Sequence, residues 1–89
     1  MADVRPSYPL STMSEGSMAL VADVVVPSDG PDKQLVIRLL ELGFVPGERV
    51  RMLRRSAVDG GALAVRVGHG TFALRIHEAS FILVHSEPQ

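Results

Sequence analysis

The chain reads LAVRVGHGTFALRI at residues 63–76. Apolar side chains recur there at every second position on both sides of a glycine-rich turn, Gly68-His69-Gly70. Successive side chains of a β-strand point to opposite faces, so this period of two predicts two strands, each with one buried face. We therefore predict an antiparallel β-hairpin whose second strand buries Phe72, Leu74 and Ile76.

Three further strands are predicted from the rest of the chain. Residues 17–26 are rich in β-branched side chains and end at a Pro-Ser-Asp-Gly turn, and Val50 and Met52 alternate with Arg49 and Arg51. Residues 81–85 form the last strand, after a single helical turn at residues 77–80. Short strands spaced by about ten residues, with glycine-containing turns such as residues 59–61, favour a small barrel or sandwich.

A different period marks residues 31–43. Apolar residues recur there at helical spacing, which predicts one amphipathic helix. Pro31 suits its first turn, and Gly43 can adopt the left-handed conformation that ends a helix. The helix and the strands are expected to share one core, which comprises Leu35, Leu39, Leu42, Val50, Met52, Leu63, Val65, Val67, Phe72, Leu74, Ile82 and Val84.

The chain length of 89 residues is enough for one small domain. Residues 1–9 contain two prolines and no apolar period, so we expect a disordered tail. Residues 10–16 include Thr12 and Glu15 at the spacing of a helix capping box, although Gly16 limits any helix to about one turn. Residues 86–89 are expected to fray, which leaves residues 10–85 as the folded domain.

The composition of the sequence limits the binding partners, the chemistry and the cellular location that we expect of the protein. Nine Lys and Arg residues against ten Asp and Glu residues give a net charge of −1, which predicts no general attraction to nucleic acid or to anionic membranes. The sequence has no cysteine, so disulfides and thiolate metal sites are excluded. The longest apolar run, residues 18–26, is too short to span a bilayer and contains Asp23. We expect a cytoplasmic protein that does not insert into the membrane.

Two motifs resemble the ferrous iron transport protein A (FeoA) family. RLLELGFVPG at residues 38–47 is similar to that family's Arg-Leu-x-Glu-Leu-Gly-x-x-Pro-Gly run. ALRIHEASFILV at residues 73–84 is similar to its Leu-Arg-x-x-Glu-Ala-x-x-Ile-x-Val ending. The resemblance covers about residues 10–85. It implies a mainly β fold, namely a small SH3-like five-stranded barrel with one inserted α-helix and short helical turns.

The same resemblance implies a function in bacterial ferrous iron uptake. Proteins of this kind are expected in the cytoplasm, where they bind and modulate a membrane GTPase permease for Fe²⁺, with recruitment to the inner face of the membrane. The alternative is a small metal-responsive or nucleic-acid-binding regulator. The sequence leaves open whether the protein activates, inhibits or stabilises its partner, and whether it pairs with a second copy to form a homodimer.

No catalytic motif is found in the sequence. His77-Glu78 begins like a zinc-protease helix, but such a site needs a second His at position 81, which is Phe. There is also no phosphate-binding glycine loop and no Gly-x-Ser-x-Gly nucleophile motif. We therefore predict that the protein is not an enzyme.

Four arginines lie within residues 49–55, and strand alternation directs at least two of them to one face. Such a face could bind phosphate or acidic partner residues. The competing interpretation is a solvated strand face neutralised by Glu41, Glu48 and Asp59. The turn at Phe44 and Val45 is either an exposed apolar tip or a lid on the barrel. We predict that Phe44, Val45, Arg49 and Arg51 form the partner surface, with an exposed tip beside the arginines.

Three histidines fall in the last 21 residues of the chain. His69, His77 and His85, together with Glu78, could hold a divalent ion such as Zn²⁺ or Fe²⁺. Their spacing matches no known ligand signature, and surface histidines without a physiological ligand role are the competing interpretation. We predict at most a weak, peripheral metal site and no required cofactor.

Overall fold

The computed structural model describes residues 6–56 and 61–87, which form one antiparallel sheet with two short helices packed around it. The strands occur in the order β1-β6-β2-β3-β4-β5 across the sheet. In chain order the elements are β1 (Tyr8–Pro9), a 3-10 turn (Leu10–Thr12), β2 (Met18–Val24), α1 (Pro31–Leu42), β3 (Arg49–Arg55), β4 (Leu63–Val67), β5 (Gly70–Leu74), α2 (Ile76–Ala79) and β6 (Ile82–Ser86).

The mainly β architecture with one substantial helix is confirmed, but the strand count and the closure of the barrel differ from the prediction. The five predicted strands are β2 to β6, and β1 is a sixth, in which Tyr8 pairs with Val84 and Pro9 with Leu83. Strands β1 and β5 stand at opposite ends of the strand order, so the sheet of the described residues is not closed into a barrel. A two-residue strand is too short to show the alternation of apolar and polar side chains from which strands are predicted.

The predicted domain boundaries shift at both ends. Tyr8 and Pro9 belong to the sheet, so the disorder predicted for residues 1–9 is wrong for these two residues, and residues 1–5 lie outside the described part. Ser86 ends β6, and the carboxylate of Glu87 binds the guanidinium of Arg49. The fraying predicted for residues 86–89 is therefore wrong for residues 86 and 87. Residues 88–89 lie outside the described part of the chain.

The hairpin predicted at residues 63–76 is present. Val67 pairs with Gly70 across a two-residue loop, and Gly68 has φ +58°, a left-handed value that glycine adopts without strain. Ile76 is an exception, because it starts α2 and is 42% exposed instead of extending the buried face of β5. The predicted turn at residues 59–61 is described only at Gly61.

Helix α1 begins and ends where the sequence predicts. Pro31 is its first residue, and Gly43 follows its last with φ +116°. The backbone N–H of Gly43 reaches the carbonyl oxygens of Leu39 and Leu40, which satisfies groups that the helix end leaves unpaired. The capping box predicted at Thr12 does not form, because the Thr12 hydroxyl donates instead to the carbonyl oxygen of Pro9 at 2.7 Å.

The structure confirms most of the predicted core residues, and it adds further residues to the core. Every strand residue of the predicted core is buried except Phe72, which is half-buried, as are Leu35 and Leu42 of the helix. The N-terminal segment adds Leu10 and Met13 to the core. The remaining additions are Ala19, Val21, Val36, Phe44 and Ala79.

One arginine holds the N-terminal segment in place. Nη1 of Arg55 donates to the carbonyl oxygens of Ser11 at 2.7 Å and Met13 at 2.9 Å. A charged donor bonds more strongly than a neutral one, so this contact fixes the turn that carries Leu10. Arg55 thus has a structural role, which separates it from the arginines exposed on the same strand.

Candidate partner-binding surface

Strand β3 carries the predicted arginines on its solvent side. Val50 and Met52 are fully buried, whereas Arg49 and Arg51 between and beside them are exposed. This alternation follows from the pleat of the strand, and it places both guanidinium groups on the outer face of the sheet. The predicted orientation of these two arginines is confirmed.

The strand register adds a third arginine. Arg51 lies directly opposite Arg66 of β4, and both side chains are exposed. Like charges directly opposite one another destabilise a sheet. The Arg51–Arg66 pair therefore lowers the stability of the folded protein, and stability gives no reason for its presence. Alternation could place Arg66 on the outer face of β4, but only the register shows that it meets Arg51.

An apolar side chain lies on the other side of Arg51. Met18 of β2 pairs with Arg51 in the register and is 44% exposed. Leu53, two residues further along β3, is 37% exposed. Arginine and methionine are enriched at protein interfaces. We refer to Met18, Arg49, Arg51, Leu53 and Arg66 together as the arginine face.

The arginine face surrounds a shallow groove and is incompletely neutralised. The groove has a volume of about 280 Å³ and is lined by Met18, Glu48, Arg49, Val50, Arg51, Arg66 and Gly68. Arg49 is paired with Glu87, which is not one of the acids proposed from the sequence. Within residues 6–56 and 61–87, neither Arg51 nor Arg66 forms an ion pair. Asp59 lies outside the described residues, and among the described ones the face has two guanidinium groups without an ion pair.

The predicted exposed tip at Phe44 is wrong. Phe44 is fully buried, and its ring meets that of Phe72 edge to face at a centroid distance of 6.1 Å. The left-handed Gly43 turns the chain sharply, and the N–H of Phe44 then bonds to the carbonyl oxygen of Leu39 at 3.1 Å. The alternative of a lid on the core is therefore correct for Phe44, while Val45 is half-buried. Met18, not Phe44, is the apolar neighbour of the arginines.

The candidate metal ligands are separated in the fold. Nε2 of His77 lies 3.0 Å from Oδ1 of Asp32, and Oε1 of Glu78 accepts the backbone N–H of Arg75 at 2.6 Å. His69 is in the loop of the β4–β5 hairpin, and His85 is on β6. No group of three or more His, Cys, Asp or Glu side chains in the described part of the chain is placed to hold a metal ion.

Calorimetric titration with Zn²⁺ is expected to show no stoichiometric sub-micromolar site. Zinc sites of that affinity use three or four protein ligands, and no three such side chains lie together among the described residues. Replacing His69, His77 or His85 by Ala one at a time is expected to change the titration little. A tight site that one of these replacements abolishes would contradict this expectation.

The fold and the arginine face together describe a small antiparallel β domain with a basic, partly apolar surface patch. The family profile of the FeoA domain matches residues 8–86. The chain belongs to the FeoA domain family. No curated protein matches the sequence. Among the described residues, no helix has both the length and the apolar character needed to cross a membrane.

Solved structures agree with the family and the fold. FeoA of Stenotrophomonas maltophilia, crystallised with zinc and described as a prokaryotic SH3 domain protein and candidate ferrous iron transport activating factor, is 41% identical. That match covers 85% of this chain and 87% of the other, with a TM-score of 0.74. The SH3-like fold implied by the sequence motifs is thereby confirmed.

Two more distant structures share the fold. A FeoA-like protein from Clostridium acetobutylicum is 21% identical, with a TM-score of 0.78 over 98% of this chain and 93% of that one. A manganese-dependent transcriptional repressor is 23% identical, with the same TM-score of 0.78 over 98% of this chain. The match covers only 45% of the repressor, so this chain corresponds to about half its length.

Proposed function

We propose that this protein is a cytoplasmic accessory protein of bacterial ferrous iron uptake, which binds the cytoplasmic part of a membrane GTPase Fe²⁺ permease and modulates its activity. The FeoA family match over residues 8–86 carries this proposal. It is supported by the 41% identical relative, which is described as a candidate activating factor of ferrous iron transport. The protein acts at the inner face of the membrane through a protein contact.

The arginine face is the proposed contact with the permease. Arg51 and Arg66 have no ion pair within the described residues, and the planar fork of a guanidinium binds a carboxylate through two hydrogen bonds. Exposed Met18 and Leu53 supply apolar area beside these charges. A partner surface with carboxylates around a small apolar centre is complementary to this arrangement.

Replacing Arg51 and Arg66 by Glu is expected to weaken binding to the isolated cytoplasmic domain of the permease by at least about tenfold. The replacement puts like charges against an acidic surface. Within this protein it exchanges one like-charged cross-strand pair for another at two exposed positions, so the cross-strand repulsion is similar before and after. The fold should therefore be retained, which circular dichroism would check. Biolayer interferometry against the immobilised domain measures the affinity.

A matched control variant has the same change in net charge at two positions outside the arginine face. Lys33 and Arg75 lie outside the arginine face, at the start of α1 and immediately before α2. Changing both to Glu should leave the affinity within about twofold, since the charge is altered away from the contact. Equal weakening in both double variants would show a general charge effect, and unchanged binding in the Arg51 and Arg66 variant would refute the proposed surface.

The exposed arginines also favour a second candidate function, a regulator that binds nucleic acid. Three guanidinium groups on one face could neutralise backbone phosphates, but the net charge of −1 opposes this function. Duplex DNA binding with a steep dependence on salt concentration would support the regulator. We expect no such binding at physiological salt.

A further inference from the structure

Strand β5 is one end of the sheet, and no other strand of the described residues pairs with its outer side. Val67 and Gly70 flank a two-residue loop, which makes them a hydrogen-bonded pair of the hairpin. Hydrogen-bonded and non-hydrogen-bonded pairs alternate along antiparallel strands. The N–H and C=O groups of Thr71 and Ala73 therefore point away from β4, towards the open side.

This open edge lacks the features that usually prevent strand pairing. Natural sheets protect edge strands with charged residues, proline or bulges. Strand β5 reads Gly-Thr-Phe-Ala-Leu, with no charge and no proline, and its pairing with β4 contains no register shift. The opposite edge, β1, is only two residues long and contains Pro9. The two edges of the sheet are thus unequal, and only β5 offers a regular pairing surface.

Helix α1 lies beside the open edge and forms a groove with it. The groove has a volume of about 610 Å³ and is lined by Leu35, Arg38, Leu39, Leu42, Thr71, Phe72, Ala73, Leu74 and Glu78. Leu35, Leu42 and Phe72 are only half-buried, so the groove retains apolar surface that the core does not cover. Extended peptides bind to exposed strand edges by adding a strand to the sheet, and a groove beside such an edge receives their side chains.

Two charged side chains, Arg38 and Glu78, line the groove, and they differ in their contacts. Glu78 already accepts the backbone N–H of Arg75 at 2.6 Å. Arg38 is exposed and has no ion pair within the described residues. Glu78 keeps its negative charge, but its carboxylate is held at the start of α2, whereas the donors of Arg38 can bind the carboxylate of an incoming chain.

We propose that the groove between α1 and β5 binds an extended, largely apolar segment of a partner protein that carries one carboxylate. The segment adds a strand to β5 through the main-chain groups of Thr71 and Ala73. Alternate apolar side chains contact Leu35, Leu42 and Phe72, while the carboxylate binds Arg38. A second copy of this chain fits less well, because residues 70–74 supply no carboxylate. This site is separate from the arginine face and does not depend on the proposed permease contact.

The test uses a defined probe and isotope-labelled full-length protein. The probe is a capped hexapeptide of alternating valine and threonine with one central glutamate, N-methylated at alternate residues so that only one edge can pair. Its addition is expected to shift the amide resonances of Thr71 and Ala73 and the methyl resonances of Leu35 and Leu42. A matched peptide with glutamine in place of glutamate is expected to bind about fivefold more weakly.

Two variants at one position isolate the strand pairing. Ala73→Pro removes an N–H that points away from β4, so the fold should tolerate it as edge strands tolerate proline. It is expected to weaken binding of the probe by about tenfold, because a hydrogen bond is lost and the ring obstructs pairing. Ala73→Val keeps the N–H and should bind like the unaltered protein. Arg38→Gln should abolish the preference for glutamate over glutamine.

Several results would overturn the proposal. No resonance shift at Thr71 and Ala73 at millimolar probe would exclude strand addition, as would equal binding by the Ala73→Pro and Ala73→Val variants. If sedimentation shows a dimer that Ala73→Pro dissociates, the occupant is a second copy and the proposed partner segment is wrong. The Arg51 and Arg66 charge-reversal variant should bind the probe normally, which separates this test from that of the permease contact.

Discussion

Replacing Phe44 by Ala is expected to destabilise the protein by about 3–5 kcal/mol, the range typical of fully buried aromatic side chains. Phe44 is among the largest side chains with no exposed surface, and its ring contacts Phe72. Truncation removes that contact and leaves a cavity under the turn that follows α1. For a domain of this size, the midpoint of thermal unfolding should fall by about 15–30 °C.

The neighbouring residue provides the control for this prediction. Val45 lies in the same turn but is only half-buried, so Val45→Ala should cost less than about 1 kcal/mol. Urea denaturation of both variants measures the two free energies of unfolding. Equal, small losses in the two variants would contradict the burial of Phe44 and restore the exposed tip that the predicted partner surface required.

Replacing Leu10 by Ala is expected to cost about 2–5 kcal/mol, although Leu10 lies only ten residues from the start of the sequence. Leu10 is fully buried, and Met13 is buried beside it in the same core cluster. Its 3-10 turn is held against β3 by the bonds from Arg55 to Ser11 and Met13. The segment is thus part of the core and not an appendage to it.

Leu20 is a matched control for Leu10. It is the same residue type on β2, but it is half-buried and pairs with Arg49 at the solvent side of the sheet. Leu20→Ala should therefore cost clearly less, about 1 kcal/mol. Chemical denaturation followed by circular dichroism compares the two variants, and a stability loss at Leu10 no larger than that at Leu20 would contradict the docking of the N-terminal segment.

The arginine face and the α1–β5 groove are two surfaces of different chemistry on one very small protein. The face carries guanidinium groups and an exposed methionine, and its proposed partner is a folded, acidic surface. The groove offers main-chain groups and half-buried leucines, and its proposed occupant is an extended segment. Two such surfaces would allow an accessory protein to hold a folded domain and a flexible segment of one partner, or of two partners, together.

The predictions from sequence were most accurate where the signal is local. Alternation in residues 63–74 is a property of each strand by itself, and it correctly assigned the buried faces of β4 and β5. Helix α1 is bounded by Pro31 and Gly43, which act on their immediate neighbours. Ile76 was misassigned because a period of two can continue past the residue at which the chain turns into a helix.

The candidate site was predicted only in part, since it depends on contacts between distant residues. Alternation placed Arg49 and Arg51 outside, but Arg66 and Met18 join them only through the pairing of three strands. Phe44 follows a glycine in an apolar turn, and the sequence allows it to point either outward or inward. Gly43 and the contact with Phe72 decide the direction.

The sequence by itself determined the mainly β architecture, the position of the helix and, through two motifs, the family, because periodicity and turn chemistry are local and the motifs are contiguous. Only the tertiary structure decided which edge of the sheet is open, which side chains form the arginine face, and that Leu10 and Phe44 are in the core. Those features depend on strand register and on the free energy gained by burying apolar surface from remote segments, and neither is contained in any short stretch of the chain.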